Sequence, residues 1–389
     1  MTTTHGGAAR RVVSRRAATR LSVTRLGVTR LGAVAAVVGL LPALAACGGG
    51  EPGATGSAAS GSASGAASGA ASGTVTLVTH DSWAVSEDVL AAFEKESGLE
   101  VEQVPAGDAG TLANQLVLTK DAPLGDVVFG IDNTFASRVV DAGVLDPYTP
   151  DGLPESAQQY AVGDGGELTP VDMGDVCMNL DTAWFDEQGL ARPQTLEDLT
   201  KPEYRDLTVV TNPATSSPGL AFLLGTVGAF GEDGWQGYWE RLRDNGLKVD
   251  ESWEDAYYAD FSGAGEGGQR PIVLSYATSP AFTVTEDGSA STTAAMLDTC
   301  FRQVEYAGVL ADAANPEGAR QLVDFLVSEA FQADVPGQMY MYPVDDAVEL
   351  PAEWQRFAPL AEDPFTVDPA DVAEHREEWI ERWTQTVVG

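Results

Sequence analysis

The sequence predicts an α/β protein of two lobes, each a mostly parallel sheet flanked by helices, joined by crossover hinge strands. Three observations lead there. The chain has 389 residues, more than one hydrophobic core usually serves. From Thr74 onward, short β-type runs alternate with amphipathic helical runs, the order that builds parallel sheets with helices on both faces. The alternation comes in two sets, linked by two separate extended runs at 171–180 and 300–308. Paired crossovers of that kind are where a clamshell closes.

The first stretch lies outside the fold. Seven arginines and no acidic residue precede Cys47, an apolar run spans 31–41, and Leu44-Ala45-Ala46-Cys47 follows. A basic region, a short apolar region and a small-residue cleavage site make residues 1–47 a signal peptide. The apolar run is too short for a membrane span. Leu-Ala-Ala-Cys resembles a bacterial lipobox, in which the cysteine becomes the lipidated first residue; an ordinary cleaved signal with a chance cysteine is the alternative. Ser14-Arg15-Arg16 lacks the apolar residues usual after a twin-arginine signal, so Sec and Tat export both stay open. Residues 48–73 are almost all Gly, Ala and Ser and read as a flexible tether.

In the folded part, 75–79 reads as a strand and 86–97 as a helix with Val89, Leu90 and Phe93 on one face, stopped by Gly98. Then come strand 99–104, helix 111–120 with Leu112, Leu116 and Val117 inward, strand 126–130, and helix 133–141 ending at Gly143. A Pro- and Gly-rich loop, 147–170, leads to the long β run 171–180. The second set is strand 207–211, helices 218–229 and 234–244, strand 247–249, helix 253–260 and strand 271–276. The chain returns through the β-like run 300–308, fills most of 316–333 with helix, and ends in a tryptophan-containing helix over 368–386. The expected lobes are 74–172 with 303–343, and 173–302 with 344–389.

The formal net charge is −36, and loss of the arginine-rich leader makes the remainder more acidic. Such a surface serves solubility, repels nucleic acid and attracts cations. Catalytic and metal signals are poor. Of three histidines, His5 is in the leader and His375 in the last helix, leaving His80. No zinc spacing, Gly-x-Ser-x-Gly, Walker loop or dinucleotide fingerprint occurs. No enzyme activity, cofactor or metal is expected. Cys177 and Cys300 fall on the two crossover runs; outside the cytoplasm two cysteines are more often paired than reactive. A disulfide between them and two buried free thiols are the alternatives.

Three features point to a ligand. Strand 207–211 is followed by Thr215-Ser216-Ser217-Pro218-Gly219 and a helix. The free N–H groups and positive dipole end of a helix suit an anionic or hydroxyl group, which Ser216 and Ser217 can meet; a plain N-cap is the alternative. After the first strand comes Thr79-His80-Asp81-Ser82-Trp83, with Asp108, Asp132 and Asn133 in later post-strand loops. Ligands of open α/β sheets lie beyond the carboxyl ends of strands, and several carboxylates there suit a cation. Asp81 also fits as a cap for the next helix. Finally, Trp253, Tyr257, Tyr258, Tyr276, Phe282, Tyr340 and Tyr342 could sandwich a flat cationic ring, at about 0.5–2 kcal/mol per face.

These residues resemble the substrate-binding proteins of bacterial thiamine ABC transporters, a branch of the two-lobed periplasmic binding protein fold. The likeness runs over nearly all of 74–389. Its marks are 79–83, Asp126-Val-Val-Phe-Gly-Ile-Asp132-Asn133, Thr215-Ser-Ser-Pro-Gly-Leu220, Ser252-Trp253-Glu-Asp-Ala-Tyr257, Val273-Leu-Ser-Tyr276-Ala-Thr-Ser-Pro-Ala281, Gln303-Val-Glu305 and Met341-Tyr342-Pro343-Val344. The resemblance implies that Trp253, Tyr276, Phe282 and Tyr340 hold the ligand's rings, that Asp108 is an acidic contact, and that Ser216 and Ser217 meet its hydroxyl or phosphate. His80 and Phe282 stand where the family carries Tyr, and Tyr340 where it carries Trp.

The resemblance implies thiamine or its phosphates as ligand, an ABC permease and ATPase as partners, and a monomer anchored outside the cytoplasmic membrane through lipid on Cys47. A ferric iron or other small-solute receptor of the same fold is one alternative, since tyrosines such as Tyr257 and Tyr258 bind ferric iron. A thiamine-degrading enzyme is another, and would need a nucleophile, commonly Cys.

Overall fold

The computed structural model describes residues 73–389 apart from 164, 265 and 266. The expected signal peptide, Cys47 and nearly all of the tether lie outside the described residues.

In chain order the strands are β1 (Gly73–Thr79), β2 (Leu99–Pro105), β3 (Val127–Asp132), β4 (Leu145–Asp146), β5 (Thr169–Asp181), β6 (Thr208–Thr211), β7 (Lys248–Asp250), β8 (Ile272–Tyr276), β9 (Thr293–Ala295), β10 (Phe301–Leu310) and β11 (Tyr342–Pro343). The helices are α1 (Glu87–Ser97), α2 (Ala109–Leu118), α3 (Ala136–Ala142), α4 (Thr182–Gln188), α5 (Ser217–Phe230), α6 (Trp235–Asp244), α7 (Ser279–Phe282), α8 (Pro316–Leu326), α9 (Glu329–Gln338), α10 (Trp354–Phe357) and α11 (Pro369–Val387). Most bounds fall within a few residues of the expected ones. The run 253–260 differs: Asp255–Asp260 winds as a π-helix rather than an α-helix, and α4, which follows β5 without a gap, was not anticipated.

The fold has the expected two-lobed α/β architecture. Its sheet runs β2-β1-β3-β10-β5-β8-β6-β7. At one end β1 pairs in parallel with β2 and β3; at the other, β6 pairs in parallel with β7 and β8. These parallel triplets are the seeds of the two lobes. Between them β10 and β5 are antiparallel to each other and to their outer neighbours. All 13 residues of β5 are buried, Asp172, Asp175, Asn179 and Asp181 among them. Its first half pairs with β10 and its second half with β8, so the strand passes from one lobe into the other.

Helices α1 and α8 cover the first lobe, where Phe93 stacks on Phe325 at 4.5 Å. The second lobe is centred on α5, whose residues from Ser217 to Val227 are all buried; such a helix is apolar all round because it is enclosed all round. Helix α11 packs on α6 through perpendicular Trp239 and Trp383 rings, and also reaches α3, where Arg376 donates to Ser137 Oγ at 2.9 Å. Cys177 on β5 and Cys300, the residue before β10, are joined by a disulfide, Cα to Cα 4.2 Å.

Candidate functional site

Between the carboxyl ends of the two parallel triplets lies a cleft lined from both sides. Six of the expected residues line it: His80, Asp108, Ser217, Trp253, Tyr276 and Tyr340.

Trp253 and Tyr276 come from the stretch between β7 and the end of β8, and Tyr340 from the segment just before β11. Trp253 stacks on Tyr257 at 5.0 Å and meets Tyr276 at 6.2 Å nearly edge-on. The π-helix underneath spaces Trp253, Tyr257 and Phe261 into a column, and π-turns recur at functional sites. The indole N–H donates to Ser275 Oγ at 3.0 Å, which fixes the ring's rotation. Tyr276 donates to Gln303 Oε1 at 3.3 Å, and burial raises its phenol well above the ordinary value. Tyr340 holds φ at 55°, a left-handed backbone that is unusual for an aromatic residue and typical of ligand-contacting positions.

The polar floor is built by β1, β5 and β10. His80 Nδ1 accepts from the Ser82 N–H at 3.1 Å, so a neutral imidazole carries its proton on Nε2. That nitrogen lies 3.5 Å from Glu305 Oε1, an ion-pair separation rather than a short hydrogen bond. Burial alone would depress the imidazole, but Glu305, with smaller contributions from Asp108 and Asp81, raises it above its usual value. Burial would likewise raise Glu305, yet the His80 charge holds it below the usual carboxylate range. Asp172 sits opposite Glu305 across β5 and β10. It is fully buried with neither oxygen hydrogen-bonded, and burial, reinforced by Glu305, pushes it well up. The floor therefore presents the His80–Glu305 pair, with Glu305 held toward its ionised form and Asp172 behind it pushed toward its protonated form.

The remaining expected residues stand elsewhere. Asp81 is exposed and accepts from the Gly107 N–H at 3.0 Å, tying two loops together instead of capping α1. Asp132 turns inward, where one oxygen accepts from Thr134 N–H, Thr134 Oγ and Phe135 N–H. Asn133 bonds β10 through Arg302 O and Val304 N. Ser216 is fully buried and donates to Thr211 Oγ1 at 2.9 Å, capping nothing with its side chain. A Cβ on Gly219 would stand 2.6 Å from Thr211 O, so this glycine serves strand–helix packing. Phe282 is half exposed and touches Tyr340 edge-on at 5.0 Å.

Glu305, Ser82, Thr278, Ser279 and Met341 also line the cleft; they fall within the motifs quoted above, with no ligand contact expected of them, and Met339, which lines it too, falls in none of those motifs. Glu305 had a readable signal: Gln303 and Glu305 alternate within an otherwise apolar strand, so both face one side. Among the described residues no cluster of three or more His, Cys, Asp or Glu is arranged to hold a metal. Both described cysteines are bonded to each other, so neither offers a thiolate.

Residues 122–363 match the family described as bacterial extracellular solute-binding protein. The chain is 31% identical to the thiamine-binding periplasmic protein of Escherichia coli strain K12 over 80% of this chain and 93% of that one. Among solved structures it is similar to a periplasmic thiamin binding protein, with a TM-score of 0.70 and 29% identity over 81% of this chain and 96% of the other. Iron-bound HitA from Pseudomonas aeruginosa shares the fold at a TM-score of 0.63 and 21% identity, over 80% and 99% of the two chains.

Proposed function

The chain belongs to the bacterial extracellular solute-binding proteins, and from that premise we propose that its solute is thiamine or a thiamine phosphate, passed on to an ABC permease and its ATPase. In this reading the lobes are 74–172 with 303–343 and 173–302 with 344–389, and lipid on Cys47 holds the protein, as a monomer, at the outer face of the cytoplasmic membrane. The carrying observation is the cleft itself: Trp253, Tyr276 and Tyr340 surround a space that also faces Glu305 and Asp108. Thiamine is a flat aminopyrimidine linked to a permanently cationic thiazolium. Ring faces attract such a cation, and an ionised carboxylate in a water-poor floor attracts it more strongly than one in bulk water. Ser217, at the first turn of α5, lines the same space and suits the hydroxyethyl oxygen or its phosphate. The relatives named for thiamine support the choice of ligand.

Calorimetry of the purified protein with thiamine, thiamine monophosphate and ferric iron as separate arms tests this. Sub-micromolar thiamine binding with quenched tryptophan fluorescence is expected, and Glu305→Gln should weaken it roughly 10- to 100-fold, the scale of a lost charged contact. Absence of heat and of thermal shift with both thiamine forms removes the proposal; a coloured, iron-loaded protein replaces it with the ferric reading.

A further inference from the structure

Across the cleft mouth the two lobes are bonded to each other directly. On the first lobe, Asp108 caps α2 by accepting from Ala109 N–H at 2.6 Å through one oxygen. Its other oxygen accepts from the backbone N–H of Trp253, in the second lobe, at 2.9 Å. One turn along, Thr111 N–H donates to Thr215 O at 3.0 Å. Between these bonds lies Gly110, fully packed: a Cβ there would stand 2.7 Å from the Thr215 carbonyl carbon and 2.8 Å from its oxygen. The Thr215 loop is built within its own lobe, since Thr215 Oγ1 donates to Glu251 O at 2.7 Å and Asn212 Oδ1 accepts from Ala214 N–H at 3.0 Å. Two surfaces, each built within its own lobe, therefore meet.

We propose that Asp108, Gly110 and Thr111 form a clasp between the lobes, in which Asp108 acts on the ligand by positioning Trp253 and Gly110 sets how closely the lobes approach. Asp108 is thus a positioning residue whose partner is a main-chain N–H of the opposite lobe. The link to affinity rests on the thiamine reading above, while the clasp itself rests on the bonds between the lobes.

The test uses the full chain as wild type, Gly110→Val and Asp108→Ser. Serine keeps the N-cap of α2 but is too short to reach Trp253, so this variant separates capping from clasping. Small-angle scattering without ligand should show a larger radius of gyration for both variants than for wild type, with cooperative melting retained. With thiamine, affinity should fall at least tenfold in both, mainly through faster dissociation. Equal ligand-free radii for wild type and Asp108→Ser overturn the clasp, as does unchanged thiamine affinity in that variant. Should Gly110→Val fail to melt cooperatively, Asp108→Ser alone decides. If wild type binds no thiamine, the functional reading falls and the ligand-free radii still decide the clasp.

Discussion

Asp132 has one oxygen with three donors and one oxygen buried without any. That asymmetry suits a protonated acid, and burial, followed by the charge of Glu305, pushes its pKa up to about 7 from an ordinary 3.8. A carboxyl raised in the fold keeps a proton that the unfolded chain has lost. Its contribution therefore favours the folded state at low pH and is lost as pH climbs from about 4 to about 7, by at most about 1.4 kcal/mol per pH unit. His80 and Asp172, both raised, slope the same way. Glu305, lowered, acts oppositely: its contribution is present above the ordinary 4.5 and is lost as pH falls through its folded value. Urea denaturation at pH 5, 6 and 7 should show stability falling with pH, and Asp132→Asn should flatten that fall without abolishing it. An unaltered slope in the variant would mean that Asp132 is ionised in the fold.

Helices α5, α6 and α11 form the most aromatic element cluster. Trp239 donates to Thr226 Oγ1 at 2.9 Å, packs edge-on to Phe222, and meets Trp383 at 5.5 Å. Trp383 is fully buried and lines no part of the cleft. Trp383→Ala should cost about 3–5 kcal/mol in urea denaturation, with thiamine affinity unchanged in the protein that remains folded. Elements of this kind were legible because a period of 3.6 stands out in 86–97 and a β-branched run in 207–211. The short α4 was not, because Asp181 both ends β5 and caps the next helix by accepting from Trp184 N–H, leaving no punctuation between them. The site was half legible for a related reason. Post-strand loops announce themselves by position, which brought in His80, Asp108 and Trp253. Whether a loop carboxylate turns outward or, like Asp132, inward depends on backbone geometry that composition does not encode. Glu305 lies mid-strand, where attention to turns passes it by.

At the scale of the whole molecule, the Cys177–Cys300 disulfide closes a loop of 123 residues between the crossing strands. A loop that long nominally stabilises the fold by about 4–5 kcal/mol through the unfolded chain, a model-dependent figure. Reduction, or Cys177→Ser with Cys300→Ser, should lower the urea midpoint accordingly. Peptide mapping of unfolded, unreduced protein should find neither thiol free, and labelling of either would exclude the bond. The strands that this staple ties together also carry the cleft floor: Asp172 lies on β5, and Gln303 and Glu305 on β10. A door moves least at its hinge pin and most at its handle. Rotation about these strands would leave Glu305, and Tyr340 beside β11, nearly in place and would move Trp253. Stopped-flow kinetics should accordingly find that Trp253→Ala quickens the release of a bound solute more than it slows its arrival.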